Sequence, residues 1–174
     1  MKKILFLKIL LLVVYSCSSS KFSEQRNKIY SVERFGQLNR ILLDSLLRDR
    51  GNLIIDSNKP LVIIYYPGKD ECNSSGSATR SSKKAWLNKM EKGINKIKPS
   101  NIIYIYKDST GLIGRNDGFK NWNKDPDGII EGTFFKEHPP CSGYTLISDS
   151  GRYISHLSEF DKKFLWQRLE QLIN

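Results

Sequence analysis

The sequence is poor in the residues that build metal and cofactor sites. It contains three cysteines and two histidines in 174 residues, and these do not form the closely spaced pairs that are typical of zinc sites. It also lacks an internal repeat and any motif of nucleic-acid recognition. We therefore predict a protein with no metal, no cofactor and no nucleic-acid partner.

Long hydrophobic runs are also lacking. The apolar run from Ile9 to Val14 is far shorter than the roughly 20 residues that cross a membrane as a helix. A cationic start precedes it, formed by Lys2, Lys3 and Lys8. A small residue, Ser16, follows just before Cys17. This layout is typical of a secretory signal, so residues 1–16 are left out of the fold prediction.

The residues around Cys17 indicate how the exported chain is held. The stretch Val14-Tyr15-Ser16-Cys17 resembles the lipobox of bacterial lipoproteins, although Tyr15 stands where a smaller residue is usual. The resemblance implies that Cys17 is diacylated, with fatty acids such as palmitate, and becomes the first residue after cleavage. The alternative is an ordinary cleaved signal peptide that happens to contain a cysteine.

The prediction is therefore a signal peptide (1–16), a lipidated tether (17–28) and one domain (29–174). We expect a monomer in the cell envelope, anchored by its lipid to a membrane outside the cytoplasm, with the periplasmic side favoured. Its partners would be that membrane and an envelope protein.

Positive charge is in excess. The formal net charge is +10, and the signal holds three of the lysines. Outside the cytoplasm, a basic surface fits anionic lipid headgroups or acidic glycans better than nucleic acid. Five lysines fall mostly on one face of a predicted helix, and the simplest interpretation is a solvated face. They are Lys83, Lys84, Lys89, Lys92 and Lys96.

The hydrophobic pattern of the domain predicts alternating helices and strands. Apolar residues at helical spacing predict a helix from Val32 to Gly51, capped by Ser31, and a second one from Ser81 or Ser82 to Pro99. Continuous apolar runs predict strands buried on both faces over 61–66 and 101–107.

The carboxyl-terminal third carries a second pattern. The turn Asp149-Ser150-Gly151 predicts a hairpin of strands 144–148 and 152–157. A last helix is expected after Ser158. Residues 108–143 are the least regular, with only a short helix expected at 118–124.

This order, a helix, a βαβ unit, a connection and a ββα unit, resembles the thioredoxin-like fold over residues 60–173. The stretch from Gly143 to Arg152 is similar to the final hairpin of that family, and Cys72 lies six residues beyond a central strand, near the family's reactive cysteine. The resemblance implies an α/β fold with a central mixed sheet flanked by helices, here with an N-terminal helical extension.

The resemblance also shows a degenerate active site. The redox enzymes of the family carry C-x-x-C, but here the stretch is Cys72-Asn73-Ser74-Ser75, and a serine cannot resolve a mixed disulfide. The family's proline that faces the active site would fall near Gly143. The polar stretch Asn73 to Arg80 is expected to delay the helix whose amino terminus would lower the thiol pKa.

Cys72 and Cys141 remain once Cys17 is assigned to the lipid, and export permits them to pair. The resemblance implies that they lie close together at one end of the sheet. Three alternatives stay open: an inert structural disulfide, an exchange pair in which Cys72 attacks and Cys141 resolves, or unpaired thiols. We predict a non-catalytic binding or envelope-maintenance protein, with a thiol-disulfide oxidoreductase as the alternative.

Weaker candidates lie elsewhere. The run Asn123, Asp125, Asp127, Gly128 and Glu131 fits part of a calcium loop, but Phe134 stands at position 12, and a simple turn explains it as well. Cys72, Cys141 and His138 would suit zinc or copper without the expected spacing. His156 is expected at the surface without a role, and aromatic residues over 119–135 form a candidate binding surface.

Overall fold

The computed structural model describes residues 33–68, 79–110, 112, 118–137 and 142–174. The strands are β1 (Glu33–Gln37), β2 (Leu61–Tyr66), β3 (Asn101–Tyr106), β4 (Trp122–Lys124), β5 (Gly143–Ile147) and β6 (Arg152–His156). The helices are α1 (Arg40–Gly51), α2 (Arg80–Ile97), α3 (Ile129–Phe134) and α4 (Lys162–Ile173), with a 3-10 turn at Pro126–Gly128.

All six strands form one sheet in the order β1-β6-β5-β2-β3-β4. The strand β2 is parallel to β3 and antiparallel to β5, and β5 is antiparallel to β6. The predicted βαβ and ββα units therefore share one mixed sheet. Within the described residues, no helix is long and apolar enough to cross a membrane.

Both faces of the sheet are covered. Residues on one face of β2, such as Ile63 and Tyr65, belong to the core under α1 and α3. Val62 and Ile64 point to the other face, under α2 and α4. Successive side chains of a strand point to opposite faces, which is why a strand covered on both sides is an unbroken apolar run.

The amino-terminal extension differs from the prediction of a single helix. Residues 33–37 form β1, which pairs antiparallel with β6 and sets Phe35 opposite Ile154. The helix α1 begins at Arg40 because Asn39, not Ser31, supplies the cap: its side chain accepts a hydrogen bond from the backbone N–H of Leu42 at 3.0 Å. The predicted end at Gly51 is confirmed.

The helix expected at 118–124 is also wrong. Trp122–Lys124 is an edge strand parallel to β3, with Trp122 opposite Tyr104. The Trp122 ring packs edge-on against Tyr104 at 5.1 Å and against Tyr66 at 6.2 Å. These aromatic contacts favour an extended segment over an isolated short helix.

Two predicted helix starts move by a few residues. The cap of α2 is Thr79, whose hydroxyl accepts from the backbone N–H of Ser82 at 3.1 Å. The cap of α4 is Asp161, whose carboxylate accepts a hydrogen bond from the backbone N–H of Lys163 at 2.6 Å. The helices themselves are where the sequence predicts them.

Candidate functional site

The domain is α/β and thioredoxin-like, as expected from the sequence: a βαβ unit and a ββα unit share a mixed sheet with the core order β6-β5-β2-β3. In such a sheet, the carboxyl end of β2 and the amino end of β5 lie at the same edge. We call this the site edge: the carboxyl ends of β2 and β3, the amino end of β5 and the carboxyl end of β6.

The residue pairing at the site edge is specific. Tyr65 of β2 pairs with Gly143, the first residue of β5. In the sequence, Cys72 follows Gly68 by four residues and Cys141 precedes Gly143 by two. Both chain segments that carry these cysteines therefore leave the sheet from neighbouring strands.

The cysteines and one histidine lie outside the described residues. They are Cys17, Cys72, His138 and Cys141. The lipidation, the disulfide and the metal alternative built on these residues therefore stay predictions, as do the boundaries of the signal peptide and the tether.

Gly143, near which the resemblance would place the family's proline, is covered by an aromatic ring. A Cβ atom at this position would lie 2.6 Å from the Phe135 ring and 2.5 Å from the carbonyl oxygen of His156. Phe135 in turn stacks on Tyr65, with ring centroids 4.4 Å apart and planes 8° apart. Glycine is thus required here by close packing, and the backbone at this position is buried.

The Tyr65 hydroxyl belongs to this closed packing. It is buried and has no hydrogen-bond partner within the described part of the chain. Burial, with a smaller contribution from the charges of Glu131 and Asp125, raises the pKa of Tyr65 well above its ordinary value. The phenol therefore stays protonated, and it is not suited to act as a base.

A small hydrogen-bonded turn follows β3 and contacts the carboxyl end of β2. Asp108 accepts hydrogen bonds from the N–H and the hydroxyl of Thr110 at 2.8 and 2.7 Å, and these bonds lower the pKa of Asp108. The Tyr66 hydroxyl donates to the Thr110 carbonyl at 3.2 Å. Gly68 has a φ of +140°, which only glycine adopts readily, and a Cβ atom added there would lie 3.2 Å from the Cβ of Asp108.

The start of α2 matters for cysteine chemistry. Its cap, Thr79, lies seven residues beyond Cys72 in the sequence. The favourable effect of a helix amino terminus on an anion falls off within the first turn. The helix α2 begins at Arg80 with Thr79 as its cap, while the stretch 73–78, which was expected to delay the helix, lies outside the described residues.

His156 is the residue at this edge that the sequence prediction misjudged. Its side chain is buried, stacked on Tyr144 at 5.1 Å, and lies edge-on to Phe164 at 5.5 Å. Its Nε2 lies 3.2 Å from the carbonyl of Glu159, while Nδ1 is buried without a partner in the described residues. Burial lowers the pKa of His156, so the neutral imidazole is favoured.

The alternation of β6 contained the signal for this burial. His156 is two residues from the buried Ile154 and shares its face of the sheet, where α4 covers it. The prediction that His156 lies at the surface was wrong because it relied on the polarity of histidine and not on the position of His156 in the alternating pattern of β6.

The carboxylates of the calcium alternative have other partners. Buried Asp125 accepts hydrogen bonds from the N–H groups of Ile130 and Glu131 at 2.9 and 2.8 Å; burial raises its pKa although these bonds oppose the shift. Asp127 pairs with Arg50, and Glu131 with Lys107, both at 2.6 Å. The described residues include no cluster of three His, Cys, Asp or Glu side chains that could hold a metal, and this geometry agrees with the turn interpretation.

The aromatic binding surface expected over 119–135 is wrong for its carboxyl half. Phe134 and Phe135 are buried in the core under α1 and α3. Phe119 and Trp122 are half-buried and pack against the opposite core. These rings therefore contribute to packing on both faces of the sheet.

Comparisons with known proteins give structural likeness alone. No protein-family model and no curated protein sequence matches the chain. Among solved structures, an exposed lipoprotein thioredoxin of Streptococcus pneumoniae TIGR4, Etrx1, is 14% identical, with 67% of this chain and 87% of that chain covered and a TM-score of 0.42.

Two further structures are similar to the same degree. A secreted disulfide oxidoreductase of Mycobacterium tuberculosis, homologous to Escherichia coli DsbE, is 13% identical over 66% of this chain and 83% of its own, with a TM-score of 0.41. A thioredoxin-like protein in its oxidised form is 13% identical over 82% and 88%, with a TM-score of 0.41.

Proposed function

We propose that this chain is an envelope lipoprotein, lipidated on Cys17, whose thioredoxin-like domain binds a partner and does not catalyse thiol-disulfide exchange. In this proposal Cys72 and Cys141 form a structural disulfide at the site edge. The observation that supports the absence of catalysis is the position of the α2 cap, Thr79, which lies seven residues past Cys72 in the sequence.

The position of the cap supports the non-catalytic role through the thiol pKa. A reactive cysteine needs a substantial thiolate fraction near neutral pH, which helix amino termini and nearby cations usually provide. At α2 the hydroxyl of Thr79 accepts the hydrogen bond from Ser82. Along the chain, Cys72 falls neither at the cap nor in the first turn of α2, the positions where a helix amino terminus stabilises an anion.

The closed packing at Gly143 supports the same conclusion. The Phe135 ring covers the backbone at Gly143, near where the family places the proline that faces its active site, and the Tyr65 ring stacks on Phe135. A substrate strand would have to displace a stacked aromatic pair to reach this position. Binding would therefore use other surfaces of the domain.

Chain length supports pairing of the two cysteines. Tyr65 and Gly143 are direct neighbours across β2 and β5. From the described ends, Gly68 and Ser142, four residues lead to Cys72 and one to Cys141, and each residue spans at most about 3.6 Å. Chain length therefore permits both thiols to reach the site edge, where a bridge would close a loop of about 70 residues.

The second candidate function is thiol-disulfide exchange, with Cys72 as nucleophile and Cys141 as resolving cysteine. A resolving thiol must reach the mixed disulfide. The pairing of Tyr65 with Gly143 favours this function, because the segments that carry Cys72 and Cys141 leave the sheet from the adjacent strands β2 and β5. The two functions differ in the reactivity of Cys72, which can be measured.

The test is a redox titration of the full mature chain, combined with an insulin-reduction assay. We expect one Cys72–Cys141 bond by peptide mapping, a reduction potential below about −300 mV and no turnover. Matched Cys72→Ser and Cys141→Ser variants are compared with the double variant. Turnover that is lost in Cys72→Ser, together with rapid alkylation of Cys72 at neutral pH, would establish the exchange enzyme instead.

The lipid anchor has a separate test. Cells grown with a labelled palmitate analogue should yield a labelled chain, and Cys17→Ser should abolish the label. A wild-type chain that is exported and cleaved but carries no label would leave an ordinary signal peptide as the explanation.

A further inference from the structure

The helix α2 is strongly basic. This helix holds six basic residues and one acidic residue, a net charge of +5, whereas the chain without its signal has about +7. One 18-residue helix therefore supplies most of the excess charge of the mature protein.

The geometry of α2 separates this charge from the core. Leu87, Met90 and Ile94 are buried against the sheet. With 100° between successive residues, three lysines fall on the opposite, exposed side. These three, which we call the α2 lysine face, are Lys89, Lys92 and Lys96.

The α2 lysine face has no neutralising partners among the described residues. The ion pairs of that part of the chain include none of its three members. The one acid of the helix, Glu91, is already engaged: it accepts from Lys120 at 2.5 Å and from the Tyr104 hydroxyl at 2.6 Å. The positive field of the face is therefore directed outward.

This arrangement weakens the isolated helix. Like charges three and four residues apart repel, as Lys89 does with Lys92 and Lys92 with Lys96, at a cost of a few tenths of a kcal/mol per pair. The helix macrodipole favours a cation only in the last turn, where Lys96 lies. A face that served solubility alone would gain by mixing both signs.

From this geometry we infer that the α2 lysine face docks on anionic lipid headgroups and sets the orientation of the domain on its membrane. The inference rests on the proposed lipid anchor at Cys17. Polar side chains flank the lysines in a shallow groove, lined by Asn88, Glu91, Lys92, Asn95 and Lys96. Amide and ammonium groups of this kind donate hydrogen bonds to phosphate oxygens.

The length of chain between Cys17 and the first described residue, Glu33, permits this orientation. Residues 17–32 are 16 residues long, and 16 residues span at most about 55 Å. A compact domain of this size has a diameter of roughly 40 Å.

The test uses the full mature chain with Cys17→Ser, so that binding does not depend on the lipid. Sedimentation with vesicles of phosphatidylglycerol and phosphatidylcholine is compared with sedimentation with phosphatidylcholine alone. We expect binding to the anionic vesicles that falls as salt rises. A lysine near an anionic surface contributes about fivefold to partitioning, so Lys89→Gln, Lys92→Gln and Lys96→Gln together should cost roughly a hundredfold.

A matched control removes the same charge elsewhere. Arg48, Lys124 and Lys136 are exposed and lie outside α2, so the triple glutamine variant at these positions should keep most of the binding. Circular dichroism shows whether each variant is folded. Equal losses in both triple variants would mean diffuse charge and overturn the inference, as would binding to both vesicle types alike.

Two other results are informative. Retention on an acidic polysaccharide without vesicle binding would assign the face to a glycan and overturn the lipid inference. Absence of palmitate on wild-type Cys17 would refute the proposed anchor, but it would leave the vesicle measurement unchanged. The two proposals can therefore fail separately.

Discussion

The Arg40 guanidinium donates a hydrogen bond from Nε to the carboxylate of Asp44 at 2.7 Å, and both side chains are buried. Arg40 also donates to the backbone carbonyls of Ser148 and Lys59 at 3.1 and 3.2 Å. One side chain thus connects the start of α1 with the β5–β6 turn and the segment before β2.

This pair predicts an asymmetric response to mutation. Arg40→Met or Asp44→Leu alone leaves a buried charge unpaired and should lower the free energy of unfolding by about 3–5 kcal/mol, whereas the double variant should cost less than the sum. Urea denaturation of the four proteins gives the coupling energy. Strictly additive losses would mean that the pair does not act as a unit.

The packing at Gly143 predicts opposite effects for two glycine substitutions. Gly143→Ala places a methyl group against Phe135 and a backbone carbonyl and should destabilise by roughly 1–3 kcal/mol. Gly132→Ala, in α3 where an added Cβ would meet no atom within 4 Å, should stabilise by about 0.5–1 kcal/mol. Thermal unfolding measures both, and a neutral Gly143→Ala would contradict the close packing.

Burial of His156 predicts a pH dependence of stability. Its pKa in the folded protein is lower than the ordinary 6.5, so below that pH the unfolded chain binds the additional proton and stability falls. His156→Phe should flatten the stability curve between the folded pKa and 6.5, while it leaves the carboxyl titrations in place. Parallel wild-type and variant curves would show that His156 is not buried as a neutral ring.

Reduction should destabilise the domain if the proposed disulfide forms. A bridge that closes about 70 residues contributes roughly 4 kcal/mol in the chain-entropy model. Oxidised wild type should therefore unfold at higher urea than the reduced protein, and the Cys72→Ser, Cys141→Ser double variant should match the reduced form. Identical midpoints with and without reductant would remove the structural bond from the proposal.

The strands of the core could be predicted because local and tertiary signals agree. The run from Leu61 to Tyr66 is apolar, β-branched and aromatic, and the structure buries it on both faces. The last hairpin follows its turn residues, with Gly151 at a φ of +86°. Such positions depend on chain-local chemistry and on burial, both of which the sequence contains.

The two outer strands of the sheet, β1 and β4, could not be predicted as well, because pairing with a neighbouring strand determines whether these segments are extended. Phe35 fits a helical period, but it becomes part of β1 by pairing with β6 and is 64% exposed. Trp122 is extended because it lies beside Tyr104. In the candidate site, the resemblance singled out Gly143, whereas the Phe135 ring that covers it directly follows α3, within the stretch 108–143 for which the sequence predicted little regular structure.

The strand β1 has a consequence for how the domain is isolated. It covers one side of β6, and Glu33 binds Arg168 of α4 through two oxygens. A fragment cut after residue 37 would expose the backbone hydrogen-bonding groups of β6 that face β1, and bare strand edges invite pairing with another molecule. Recombinant versions should therefore begin upstream of Glu33, or aggregation caused by truncation will be mistaken for a natural oligomer.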